Sequence, residues 1–326
     1  SAYGEGAKPG IYGSPENGAS SNKWSLLEGT DNIWVFYKEI MDCGDIVLDG
    51  DMDIADKAPI WWTGSQYVKN EPQDNHEAKM VKSVFDPARD MENLQYFNDI
   101  DYSDLGNQYP IYVYSHAERE GKLYLRCDEG NPGEIYESIE FCCQPYNGSV
   151  VTLNFGYGSI LDNLAVMYGG HAIEANGGKI VQNCEVGYMG AMTHTFYDEA
   201  TVYSGDGICH TLNMLVENNY VHHVFNGGIA AGEMSFAADE AHASTEEIQG
   251  NNTIRGNLLE YTAGITLFNW EEEVNPRHIF KNITIEDNFV LYSTTAGDPS
   301  VQKARDIIDA LVFTGRDIPT PSANEN

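Results

Sequence analysis

The feature that most constrains this chain is a recurring unit: an apolar residue, two intervening residues and an asparagine. It reads ILDN, IVQN, LVEN, IRGN and IEDN, with asparagines at 163, 183, 218, 257 and 288 and gaps of 20, 35, 39 and 31 residues. Asparagine favours neither helix nor regular strand, so its return inside apolar bursts must answer a structural need. A Gly-Ile pair repeats downstream, as Gly207-Ile208, Gly228-Ile229 and Gly264-Ile265, with His171-Ala172-Ile173 in the equivalent place of the first unit. Recurrence at about 20–40 residues is the mark of a stacked repeat architecture.

The apolar bursts are short, β-branched and bounded by Gly and Asn, which predicts short strands and tight turns. No stretch sustains the three-and-four spacing of a helical solenoid, and the unequal gaps do not suit the uniform blades of a propeller. The expected fold is all-β, a parallel β-helix whose coil of roughly 20 residues carries long turn insertions. In such a coil, asparagines from successive turns can accept left-handed backbone and stack as a hydrogen-bonded ladder. Residues 1–295 read as one β-helix domain with a lid-like insertion at 56–110, and 296–326 as a short helix in KARDIIDALVF followed by a polar tail.

Particular motifs carry a family resemblance. SAYGEGAKPGIYGS at the start, KLYLRCDEGNPGE at 122–134, NCEVGYMGAM at 183–192 and YSGDGICHTLNMLVENN at 203–219 resemble the right-handed parallel β-helix proteins of the pectate-lyase-like superfamily. The resemblance covers most of residues 1–295. It implies a right-handed helix, action on polysaccharide, and a secreted or cell-surface location. The aspartate constellation of polygalacturonases and the arginine signatures of pectate lyases are not recognised in the chain, so the resemblance carries over no catalytic residue.

Charge narrows the partners. With 18 Lys and Arg against 50 Asp and Glu, the net charge is −32, a surface that repels nucleic acid and anionic membranes. No apolar run reaches membrane-spanning length. The expected partner is a polysaccharide or oligosaccharide. Six cysteines, at 43, 127, 142, 143, 184 and 209, show no metal-ligand spacing, so no metal site is expected from them; Cys184 is expected to pack within a turn of the coil. Asn147, Asn251 and Asn282 lie in glycosylation sequons.

The chemistry is expected on two insertions, 191–207 and 232–250, taken to rise side by side from consecutive coils. Two carboxyl groups across a cleft can hydrolyse a glycosidic bond, one as acid and one as base or nucleophile. The candidate catalytic residues are Asp206, Glu233, His171 and His210, with Asp198 and Glu199 behind them. His171 and Asp206 stand in the same place relative to their isoleucines, which predicts neighbours on nearby coils. Trp270, His194, Trp61 and Trp62 are the candidate sugar-binding residues.

Glycoside hydrolysis is the first reading and needs no cofactor. A lyase performing β-elimination on a uronate is the alternative, with Lys179, Arg255 or a histidine as base; residues 156–295 hold only Lys179, Arg255, Arg277 and Lys281 as basic side chains. Calcium is an option at DGDMDIAD, 49–56, which lacks the sixth-position glycine and final glutamate of an EF-hand loop. A non-catalytic carbohydrate-binding or adhesin β-helix is the third reading, since fold does not fix function.

Overall fold

A computed structural model describes residues 6–40, 43–52, 54–57, 60–63, 66–69, 86–99, 122–143, 149–153, 158–175, 177, 179–190, 192–196, 200–210, 213–233, 248–269, 279–292 and 311–314. Strands dominate them. Five successive rungs each deliver one strand to each of three parallel sheets. The first sheet takes Ile160–Asp162, Ile180–Gln182, Leu215–Glu217, Thr253–Arg255 and Thr284–Glu286. The second takes Ala165–Gly169, Glu185–Met189, Tyr220–Val224, Leu258–Glu260 and Phe289–Leu291. The third takes His171–Ala175, Ile208–His210, Ile229–Glu233, Ile265–Asn269 and Leu311–Thr314.

Parallel, in-register pairing stacks like on like. The first sheet stacks Leu161, Val181, Val216 and Ile254 inward, the second Val166, Val186, Val221, Leu259 and Val290, and the third Ile173, Ile208, Ile229 and Ile265; all join one buried cluster. At about 1.5–3 kcal/mol per fully buried aliphatic side chain, these columns dominate the attraction between rungs.

The recurring asparagines resolve into two columns, where the sequence pattern suggests one. Asn163, Asn183 and Asn218 take left-handed backbone, with φ of 58°, 53° and 56°, and Gly256 and Asp287 fill that position in the last two rungs. Asn257 and Asn288 sit one residue further on, stacked beneath Asn219 and Cys184. The slip arises because the apolar anchor is the first strand residue in ILDN, IVQN and LVEN, but the second in IRGN and IEDN.

The second column is the hydrogen-bonded one. The Oδ1 atoms of Asn219, Asn257 and Asn288 accept the backbone N–H of Cys184, Asn219 and Asn257 at 2.9, 2.9 and 3.0 Å. Their Nδ2 groups donate to the carbonyls of Val181, Val216 and Ile254 at 3.0, 3.0 and 2.9 Å. Cys184 ends the column, fully buried, in the rung position expected of it.

The N-terminal third departs from the expected coils. Trp24–Leu26, Ile33–Phe36, Lys122–Arg126, Gln95–Asp99 and Asp56–Lys57 form a separate, mostly antiparallel sheet. Its core of Trp24, Phe36, Tyr96, Leu123 and Phe141 is distinct from that of the rungs. Cys43–Leu48 runs antiparallel to Ile139–Cys143, which leads into the second sheet. Asp56–Lys57 and Gln95–Asp99, read from sequence as part of a lid, are therefore strands of this sheet. Within KARDIIDALVF, Leu311–Phe313 lies in a third-sheet strand and not in a helix, because its register with Ile265–Leu267 continues the column; residues 303–310 lie outside the described residues. Among the described residues no helix is long and apolar enough to cross a membrane.

Candidate functional site

His171 opens the third-sheet strand of the first rung, and Asp206 lies two residues ahead of Ile208, the partner of Ile173. This register brings His171 Nδ1 to 3.6 Å from Asp206 Oδ2. The Asp206 backbone N–H also donates to His171 Nδ1 at 3.1 Å, so the neutral ring carries its proton on Nε2. Cys209 completes a group whose ligand-type atoms all lie within 4.8 Å of one another. Asp206 Oδ1 accepts the Gly227 N–H at 2.9 Å. Burial pushes the Asp206 carboxyl up to about 6, against the lowering effect of hydrogen bonds from Gly227, Cys209 and Asn226. Burial, and then the charge of Asp206, pushes the Cys209 thiol well above its ordinary value, so it is a poor nucleophile as it stands.

The expected partner of Asp206 is elsewhere. Glu233 ends its strand four residues after Ile229, whereas Asp206 precedes the paired Ile208 by two. The six-residue offset separates the two backbones by about 20 Å at roughly 3.3 Å per residue, beyond the about 9.5 Å limit for a hydrolytic carboxylate pair. His210 is four residues beyond Asp206, in register with Ala175 and Ala231 of the core.

The two insertions also leave from different corners. One, holding the hairpin Met192–Phe196 with Ala200–Ser204, joins the second sheet to the third; the other joins the third to the first. Their attachment strands therefore lie at different corners, and residues 197–199 and 234–247 of the insertions lie outside the described residues. His194 is a residue of that hairpin, and Trp61 and Trp62 lie in the Ile60–Thr63 and Gln66–Lys69 hairpin. Asp198, Glu199 and Trp270 lie outside the described residues.

A second group, absent from the sequence reading, occupies the outer face of the second sheet. Alternation about the inward valines puts Glu185 and Gly187, Tyr220 and His222, and Leu258 and Glu260 outside on three successive rungs. Tyr220 donates its hydroxyl to Glu260 Oε2 at 2.6 Å. Desolvation, and then Glu260, raises the Tyr220 phenol above its ordinary range, so the phenol keeps its proton and the carboxylate accepts. His222 Nε2 lies 3.6 Å from Glu185 Oε1, and its Nδ1 is 2.9 Å from His223 Nδ1. Only 4% exposed, His222 has no hydrogen-bond partner at Nε2 among the described residues. Burial, and then His223, pulls it down to about 4, so it is neutral at pH 7.

Beside this group runs a column of rings. Tyr168, Tyr188, His223, Tyr261 and Tyr292 stack with centroids 5.2, 5.2, 4.7 and 5.0 Å apart. All five hold left-handed backbone, with φ between 48° and 58°, a conformation that costs non-glycine residues energy and marks a position fixed by its surroundings. In each case the ring follows the inward aliphatic residue of the second sheet by two positions, a periodicity present in the sequence.

Of the residues named for a lyase, Lys179 is 1% exposed, and Arg255 pairs with Glu217 through Nε at 2.8 Å and a terminal nitrogen at 2.7 Å. In the 49–56 loop, Asp49 Oδ1 accepts the Ser138 N–H at 2.8 Å, and Asp53 lies outside the described residues.

No family model matches the chain, and no curated protein matches it. Among solved structures, the complex of XylC with xylose matches with a TM-score of 0.38 and 14% identity, over 89% of this chain and 54% of that one. The chain thus spans about half the length of that protein. A likeness this weak leaves both ligand and activity to be argued from the residues themselves.

Proposed function

We propose that the chain is a right-handed parallel β-helix that binds a polysaccharide along the outer face of its second sheet and hydrolyses it. The observation that carries this is the convergence of Glu185, Tyr220, His222 and Glu260 on one outer face beside a column of aromatic rings. Offsets of two rungs and two residues place the Glu185 and Glu260 backbones about 12 Å apart, at roughly 4.8 Å per rung and 3.3 Å per residue. Glu185 lies against His222 and Glu260 against Tyr220, and an inverting hydrolase would need their carboxyl groups about 6.5–9.5 Å apart. Glu260, fixed as acceptor by Tyr220, is the base; Glu185 is the proton donor; ring edges and tyrosine hydroxyls guide the glycan. No cofactor is needed, and a chain this acidic is suited to a neutral or mildly acidic glycan outside the cell.

Asp206 and His171 are 4% and 7% exposed, which keeps a polymer from them, whereas the Glu185 and Glu260 side chains and Tyr220 of the outer face are half-buried and His222 lies beneath them. Purified protein incubated with neutral and uronic polysaccharides tests the reading. Reducing ends should appear without the ultraviolet absorbance of an unsaturated uronate, and Glu185→Gln and Glu260→Gln should each slow their release about 10²–10⁴-fold. Release accompanied by that absorbance makes it a lyase. Binding with no cleavage across the panel makes it a carbohydrate-binding module.

A further inference from the structure

We propose that His171, Asp206 and Cys209 form a binding site for one divalent transition-metal ion of the zinc class. Three observations converge. One imidazole nitrogen, one carboxylate oxygen and one thiol sulfur lie within 4.8 Å of one another. Bonds of about 2.0–2.3 Å set donor-to-donor edges of about 3.3–3.8 Å in a tetrahedral site, and the 3.6 Å between His171 Nδ1 and Asp206 Oδ2 already falls in that range. All three residues are at least nine-tenths buried, at 7%, 4% and 9% exposed. Among the described residues no Lys or Arg is paired with Asp206, so a buried acid lacks the counter-charge that a cation would supply.

The ligand geometry is set by the fold. The three residues come from adjacent rungs, two from one strand and its approach, held by the Ile173 and Ile208 pairing. A side chain at Gly227 would bring its Cβ to 3.2 Å from Asp206 Oδ1; the bare glycine keeps that side open. The neutral His171 ring already has its proton on Nε2 and its lone pair on Nδ1, facing Asp206. A metal ion would take that lone pair from the Asp206 N–H. The donor set selects the metal: a thiolate and an imidazole suit zinc or cobalt, whereas calcium and magnesium require oxygen. Three protein ligands leave the fourth tetrahedral position open. On binding, Cys209 releases its proton and Asp206 any it holds, and no electron is transferred.

Cobalt(II) alone is the probe. The full chain, stripped by chelator and dialysed, should take up one equivalent of Co²⁺. It should develop the near-ultraviolet charge-transfer band of a cobalt–thiolate bond, and one equivalent of Zn²⁺ should abolish it. Cys209→Ser should lose the charge-transfer band, and Asp206→Asn should bind at least tenfold more weakly. The chain holds six cysteines, all of them buried, so the Cys209→Ser control identifies the sulfur. Absence of the band in the unaltered chain overturns the proposal, as does its survival in Cys209→Ser. The unaltered chain supplies this reading even if a variant fails to fold.

Discussion

Replacing Asn257 with alanine tests whether the buried amide column holds the rungs together. Asn257 is fully buried. It accepts the Asn219 N–H at 2.9 Å and the Asn219 Nδ2 group at 3.0 Å, and donates to Val216 O at 3.0 Å and Asn288 Oδ1 at 2.9 Å. Alanine leaves the Asn219 N–H and the Val216 carbonyl without these partners in a space closed to water. At about 1–3 kcal/mol for each stranded group, with some relaxation of the neighbouring amides, the expected loss is about 3–5 kcal/mol. That is a large part of the about 5–15 kcal/mol that holds a domain folded. Asn251→Ala is the control. Asn251 stacks with Asn213 and Asn282 through amide bonds of 3.0 Å, but those bonds face solvent, and its φ of 55° adds backbone strain for alanine. The control should cost about 1–2 kcal/mol. Urea unfolding followed by both circular dichroism and fluorescence measures each loss. If Asn257→Ala costs no more than Asn251→Ala, the buried column does not hold the rungs and the reasoning fails.

Other tests address the outer face. Gly187→Ala should destabilise by about 1–3 kcal/mol, because a Cβ there meets the His222 ring at 2.3 Å; an unchanged thermal midpoint would mean the ring is not packed on Gly187. His222 titrates near 4 when folded, against an ordinary 6.5. Its contribution is therefore complete above pH 6.5 and falls away as pH drops through 4, by up to about 3 kcal/mol at about 1.36 kcal/mol per unit. Denaturant titrations of the protein and of His222→Asn at pH 7 and pH 4 should show the loss in the former and less in the latter; equal pH dependence refutes burial of a neutral ring. Attachment of a glycan at Asn251 or Asn282 occupies the Nδ2 that donates within their stack, so expression in a glycosylating host should lower the thermal midpoint relative to a non-glycosylating one.

How far the fold was legible depends on the range of the interaction. The inward columns were readable because alternation is local: Val186, Val221 and Leu259 announce themselves within a few residues. The merging of two asparagine columns came from aligning on the apolar letter when the strand position is what stacks. The antiparallel N-terminal sheet was hidden because pairing direction is not local; Ile33–Phe36 meets Lys122–Arg126 across a long stretch of chain. At the site, equivalent positions before two isoleucines were enough to place His171 beside Asp206. Pairing Asp206 with Glu233 ignored which end of the strand each occupies. Glu185, Tyr220 and Glu260 drew no attention because they meet only across three rungs, and the ring column was missed because left-handed tyrosine is not what propensity suggests.

The buried asparagines also give the stack a direction. Each amide hands a hydrogen to the oxygen of the next, from Asn219 to Asn257 to Asn288, so their dipoles align head to tail and polarise one another. Such a line has unlike ends. At its head Asn219 accepts from the backbone of Cys184, whose thiol turns away to the Gln182 carbonyl at 3.2 Å. A further asparagine can join at either end without reversing an amide: past Asn288 it would accept from the Asn288 Nδ2 group, and in place of Cys184 it would donate to Asn219 Oδ1, as Asn219 does to Asn257. Duplication of rungs therefore preserves the direction of the line at either end, and the line stops at Cys184 only because a thiol has no amide to hand on.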